Sequence, residues 1–276
     1  MASAAQGAVM RAGARSLGGL RRRAGAIMAF VVLFLIWEVA VRALGVAQYV
    51  LPPPSLIVSE FARRWPRVLD GAWVTTSEIL AGYALAVVVS IPLALVTAYW
   101  RAFERTIYPL IVFLQIIPKI AIAPLFIIWF GFGFLPKLLL VFLLSFFPIV
   151  VSSIAGFKSV DPDITDLARS TGAGEWRMFA KIRLPQALPD IFTGLKVGAA
   201  LAATAAVVAE FVASNRGLGY LLLEYNGNLD TAMVFAVIIV LSLIGLAVYY
   251  AVELIERLAI PWHVSQRASR AEPHLA

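Results

Sequence analysis

A chain of 276 residues that is 61% hydrophobic and only 14% charged, with a mean hydropathy of +0.88, is too apolar for a soluble domain and belongs in lipid. Its formal net charge of +7 does not point to nucleic acid, because the basic residues lie between apolar runs of membrane-spanning length and not on one face of a soluble body. With no cysteine, a disulfide framework, a thiolate metal site and a cysteine nucleophile are all excluded.

Residues 1–25 carry five arginines and no acid, a pattern shared with signal and transit sequences. The apolar run that follows, about Ile27 to Leu44, is interrupted by Glu38 and Arg42 and shows no convincing cleavage site, so an uncleaved first anchor is expected. Next, "SLIVSEFARRWP" reads as a short amphipathic helix at the outer interface, where Arg63, Arg64 and Arg67 can snorkel. Residues 26–75 thus hold the first span and this interfacial helix. Further spans are expected at about Thr76–Trp100, Tyr108–Phe130, Leu135–Phe157, Ile191–Val212 and Thr231–Ile255. An all-α, polytopic membrane protein with about six transmembrane helices follows. An even number of spans puts both ends on one side.

The Lys and Arg distribution chooses that side. With the N-terminus inside, the inner segments hold Arg11, Arg15, Arg21, Arg22, Arg23, Arg101, Arg105, Lys158, Arg169, Arg177, Lys181, Arg183, Lys196, Arg257, Arg267 and Arg270. The outer ones hold Arg42, Arg63, Arg64, Arg67, Lys137 and Arg216. Both termini are therefore expected in the cytoplasm, including a tail at 258–276.

In the third span, "QIIPKIAIAPLFIIWFGFG" contains Pro118 and Pro124. Broken backbone in a membrane is tolerated only where protein or a water-filled cavity surrounds it, so this segment should face inward. Lys119 lies roughly 16 Å of helix rise past Tyr108. It either lines a pore or snorkels or pairs with a carbonyl. Glu210, after the small-residue run "AALAATAAVVAE", has two readings, an outer vestibule and simple interfacial solvation. Gln115 and Glu78 are further candidates. Gly194 and Gly198 form a small-xxx-small pair suited to helix packing.

The stretch "DLARSTGAGEWRMFAKIRLP" interrupts this apolar pattern. Upstream, Asp161 suits an N-cap, Pro162 the first helical position, and Asp163 and Asp166 the positive helix end. Gly172 fits the left-handed position that ends a helix. A second short helix, about Glu175 to Arg183, places Trp176, Phe179 and Ile182 near one face, and Pro185 should stop it. Two short amphipathic helices joined at a glycine, too polar to span, either pack on their own spans or dock a cytoplasmic partner. Periodicity leaves both open, and a DNA-reading helix-turn-helix does not suit a place between two spans.

This stretch is similar to the EAA signature of permease subunits in bacterial ABC importers. Asp166, Leu167 and Ala168 stand where Glu-Ala-Ala is typical, and Gly172, Ile182, Leu184 and Pro185 match. Asp166 for Glu and Leu167 for Ala are departures. From about Val50 onward, "YVLPPPSLI", "IPKIAIAPLFIIWFGFG", "FFPIVVSSIAGF", "RLPQALPDIFTGLKVG", "VVAEF" and "GLGYLL" resemble the branch that imports nitrate, taurine and alkanesulfonates. That branch also includes permeases for thiamine-precursor pyrimidines, riboflavin-like and other small compounds.

The resemblance implies a permease domain over 76–257 in a bacterial inner membrane, with the loop at 158–190 acting as a coupling helix on a separate ATP-binding subunit. It also implies a periplasmic or lipid-anchored substrate-binding protein, a second permease copy forming a homodimer, and a small anion such as sulfonate, taurine or nitrate as solute. The chain agrees in lacking a G-x-x-x-x-G-K-[ST] phosphate loop, and "GAGEWR" and "GLGYLL" read as turns. No catalytic site, metal site or cofactor is expected: the only histidines, His263 and His274, lie in the polar tail. A channel or secondary transporter is the alternative favoured by Lys119, although no internal repeat is visible. A membrane-embedded enzyme lacks the clustered His, Asp and Glu it would need.

Overall fold

The computed structural model describes residue 25 and residues 28–262, so the basic segment 1–24 and the histidines at 263 and 274 lie outside it. All regular structure among the described residues is helical. Two compact units are present, one formed by the residues up to Arg64 with Tyr225–Ala236, the other by Trp65–Glu224 with the residues from Val237 onward.

In the first unit, α1 covers 28–43 and α2 begins at Pro54. The charges that interrupt the first apolar run have a local task. The Glu38 carboxylate accepts from the backbone N–H of Ser55 at 3.0 Å and from its hydroxyl at 2.7 Å, which caps the first turn of α2. Arg42, one turn further along α1, pairs with Glu38 at 2.5 Å. Trp37 stacks on Phe34 and meets Phe235, with ring centroids 6.0 and 5.7 Å apart. The Thr231 hydroxyl donates to the Tyr49 carbonyl at 2.6 Å.

Helix α2 runs unbroken from Pro54 to Tyr99, and this corrects the sequence reading of a separate interfacial helix before the second span. Its 46 residues are more than twice the roughly 20 that a bilayer core requires. The arginines of "SLIVSEFARRWP" do not need an interface to settle at. Arg63 and Arg64 reach back one turn to Glu60 at 3.1 and 3.0 Å, pairs that support a helix at that spacing. Arg64 also pairs with Asp230, and in the second unit Arg67 pairs with Glu224 at 2.8 Å.

The second unit is organised around α5 (Phe134–Lys158) and α8 (Leu184–Ala213), which pack on each other, and α2 meets them through Gly82, Tyr83 and Ser90. Small residues set the separation. A Cβ on Gly194 would stand 2.7 Å from Ser152 Cβ, one on Gly198 2.9 Å from Ile149, and one on Gly82 2.6 Å from Val141 Cβ. The buried alanines Ala199, Ala202, Ala205, Ala206 and Ala209 continue this face of α8. At so close an approach backbone carbonyls accept side-chain bonds, from Tyr83 to Leu195 at 2.8 Å and from Ser145 to Gly198 at 3.1 Å.

Between α2 and α5 the chain forms α3 (Arg101–Ile116), a 3-10 turn (Lys119–Ile122) and α4 (Ala123–Phe130), and the bend at this break is 85°. Pro118 makes the break, whereas Pro124 sits in the first turn of α4, where its missing N–H costs nothing. After α5 come α6 (Pro162–Ser170) and α7 (Glu175–Met178).

Pro185 does not end the helix after α7, contrary to the sequence expectation. A π turn over Phe179–Arg183 leads directly into α8, and the Leu184 N–H bonds to the Phe179 carbonyl five residues back. This widened turn shifts the hydrogen-bond register before the proline, so the helix continues through it. "GLGYLL" is likewise only partly a turn: Gly217 makes the bend and α9 (Leu218–Gly227) starts at the next residue. Helix α10 (Thr231–Ala259) contributes its residues from Val237 onward to this unit.

Among the described residues four helices are long and apolar enough to cross a membrane, or five if the bent pair of α3 and α4 counts as one span. The expected six is not reached because the first span is described only over 28–43.

Candidate functional site

Three places hold the residues singled out by the sequence. The first is the loop between α5 and α8. Asp161 caps α6 by accepting from the Asp163 N–H at 2.9 Å. At the other end, the Gly172 N–H bonds to the Arg169 carbonyl at 3.0 Å and the Ala173 N–H to the Ala168 carbonyl at 3.1 Å. This is the paired closure of a Schellman motif, and it requires the left-handed φ of 79° found at Gly172. Arg169 fixes the corner, pairing with Asp166 at 3.6 Å within α6 and with Glu175 at 3.2 Å across the turn.

The two apolar faces of the loop have different fates. Phe179 is half-buried against Tyr99 and Phe157, at centroid distances of 6.1 and 6.5 Å, so that face packs in part on the chain's own helices while its Trp176 stays exposed. Ile182, Leu184 and Pro185 are also half-buried. Ile164 and Leu167 are instead exposed, Leu167 by 67%, and Ala168 and Gly172 lie on the same projecting segment. Nothing among the described residues covers Leu167.

The second place is the break at Pro118. Lys119 is half-buried, donates to the Gln115 carbonyl at 2.7 Å and lies 4.5 Å from the centroid of the Phe147 ring. The carbonyl is one that the break at Pro118 frees from the helical ladder. Gln115, Lys119, Phe147, Pro148 and Leu201 line a cavity of about 540 Å³. Gln115 and Lys119 therefore share one opening.

Glu210 does not join them. It is fully enclosed within the second unit, as is Glu78, and neither is solvated. The Glu210 carboxylate accepts from the Thr75 hydroxyl at 2.7 Å and from the Gly219 N–H, while Thr75 accepts from the Leu218 N–H at 2.8 Å. Glu78, beside Glu210, pairs with buried Lys137, whose ammonium also donates to the Ser214 hydroxyl at 3.0 Å. These contacts fasten the 214–219 turn to α2, α5 and α8. Gly217, at φ 109°, has no room for a side chain because the Glu210 carboxylate occupies that space.

Sequence reasoning missed Lys137, Thr75 and Ser214. The available signal was the pair of acids within spans: two carboxylates in apolar surroundings call for a cation, and Lys137 opens the helix between them. A second buried pair, Lys196 with Glu256 at 2.7 Å, obeys the same rule between α8 and α10.

Residues 78–260 match the family described as "Binding-protein-dependent transport system inner membrane component". The chain is 36% identical to the formylaminopyrimidine transport permease protein of Halalkalibacterium halodurans, over 86% of this chain and 95% of that one. It is 34% identical to the riboflavin transport system permease protein of Chloroflexus aurantiacus, over 87% and 91%. With the taurine transport system permease protein of Escherichia coli the identity is 30%, over 84% and 87%. Among solved structures, an inward-facing methionine ABC transporter chain superposes with a TM-score of 0.61 at 16% identity, over 71% of this chain and 97% of that chain. That last likeness concerns the fold.

Proposed function

Because the chain belongs to the family of binding-protein-dependent transport system inner membrane components and is a permease subunit of an ABC importer, we propose that it carries a small organic solute past the break at Pro118 and draws its energy through the loop at 158–190. A separate ATP-binding subunit docks on the exposed face of α6, a substrate-binding protein delivers solute on the opposite side, and a second copy of the chain completes the path. The loop side is cytoplasmic, with both termini on that side of the inner membrane. The observation that carries this reading is the projecting corner at Gly172. Its hydrogen bonds and the Arg169 pairs hold it in one shape while Leu167 stays uncovered, as a surface meant for another subunit would be.

Two solute classes have support. Lys119 at the cavity favours an anion such as a sulfonate, taurine or nitrate, since a cation within a span is costly unless it meets something polar. The relatives at 36% and 34% identity favour a planar nitrogen heterocycle, which the Phe147 ring beside Lys119 would also suit.

Lys119 separates the readings. If it lines the path of an anion, Lys119→Met leaves assembly intact and lowers uptake per assembled complex by about tenfold or more, while Lys119→Arg retains part of it. If it only caps the Gln115 carbonyl, Met lowers the amount of folded complex and normalised uptake stays at the wild-type value. Solute uptake divided by complex recovered from the same membranes gives the answer.

A further inference from the structure

The last turns of α2 and the segment 175–183 border an apolar groove of about 410 Å³, which shares no lining residue with the cavity at Lys119. Leu95, Val96 and Trp100 form one wall, and Trp176 and Phe179 the other. Trp100 and Trp176 are 64% and 77% exposed, although Trp100 stacks on Phe103 at 5.7 Å and Trp176 meets Phe179 in a tilted pair at 5.9 Å. Arg183 closes one end, its guanidinium held 4.9 Å from the centroid of the Tyr99 ring. The carboxylate that also lines the groove, Glu175, is taken by Arg169. Arg183 has no carboxylate partner among the described residues, and neither do the exposed Arg177 and Lys181 nearby.

The chemistry of these walls identifies the occupant. One wall belongs to a helix apolar enough to cross a membrane, where a soluble subunit has no access and an acyl chain does. Two exposed tryptophans at the mouth match the preference of indole rings for the headgroup level. The uncompensated guanidinium beside them offers a planar donor pair to a phosphate.

We propose that this groove is a binding site for an anionic phospholipid, with its phosphate on Arg183 and one acyl chain between Trp100 and Trp176. The site rests on the reading above that the loop side faces the cytoplasm, where anionic headgroups attract basic segments. Phe179 joins the groove to the aromatic contacts beneath the loop, so the lipid would brace the segment through which the loop is coupled to α8.

The test uses the full complex, purified in mild detergent and incubated with equimolar phosphatidylglycerol and phosphatidylcholine, with retained lipid measured by mass spectrometry. Wild type should prefer phosphatidylglycerol. Arg183→Gln should lower that preference by about fivefold, the worth of one basic residue at an anionic surface, and Arg183→Lys should keep most of it. Trp100→Ala, on the wall opposite Trp176, should lower retention of both lipids. An unchanged lipid ratio in Arg183→Gln, or no preference in wild type, overturns the proposal. So does a variant that keeps its lipid and loses the ATP-binding subunit, because the groove would then belong to that subunit. Labelling of Asn226→Cys from outside the cell reports orientation independently, so a wrong orientation is distinguishable from a wrong ligand.

Discussion

Replacing Lys137 by Met should be among the most damaging single changes in this protein, costing about 3–5 kcal/mol because it leaves the Glu78 carboxylate buried without its cation. Glu210 lies next to Glu78, so the variant would hold two enclosed acids and no ammonium, and the Ser214 hydroxyl would lose a donor as well. The expected result is a sharp fall in complex recovered from membranes and a lowered midpoint of thermal aggregation. The double variant Glu78→Gln with Lys137→Met should recover much of the loss, since removing both partners spares the desolvation of an unpaired charge. Wild-type stability in Lys137→Met alone would show that the pair carries little.

The second large effect is expected at Gly172, and it should appear in transport with little change in insertion. A Cβ there would meet nothing within 4 Å, so the cost of Gly172→Val is conformational: a β-branched residue at φ 79° is strained by roughly 1–2 kcal/mol or more. Relief of that strain opens the Schellman closure and moves Glu175 away from Arg169, which displaces α7 relative to α6. The permease should reach the membrane at near-normal levels, fail to retain its ATP-binding subunit, and lose uptake. Gly172→Asn, which tolerates the left-handed region, should retain part of both. Retention of the subunit and wild-type uptake in the Val variant would remove the loop from coupling.

The loop was readable in the sequence because its determinants are local. Asp161, Pro162 and Gly172 act within one or two turns, and each takes the conformation that its residue type favours. The break at Pro118 was readable for the same reason. Pro185 misled because a proline signal is also local, whereas the helix passes it through a π turn that starts at Phe179, whose ring meets Tyr99 and Phe157 from distant parts of the chain. The unbroken α2 was missed because the arginines of "SLIVSEFARRWP" suggested a separate helix lying at the interface, although Glu60 and the two arginines at i+3 and i+4 are helix-supporting pairs. The enclosure of Glu210 was beyond reach for a different reason. Its partners come from residues 75, 78 and 219, and no spacing along one helix brings those together.

The central claim, a permease energised through its loop by a separate ATP-binding subunit, is tested most directly by solute accumulation in vesicles that hold the permease, that subunit and the binding protein. Solute should accumulate above its outside concentration only when ATP is supplied on the side of the 158–190 loop, and Gly172→Val vesicles should not accumulate it. Equilibration of solute without ATP, at the same rate in both, would contradict the account and mark the chain as a channel or secondary transporter.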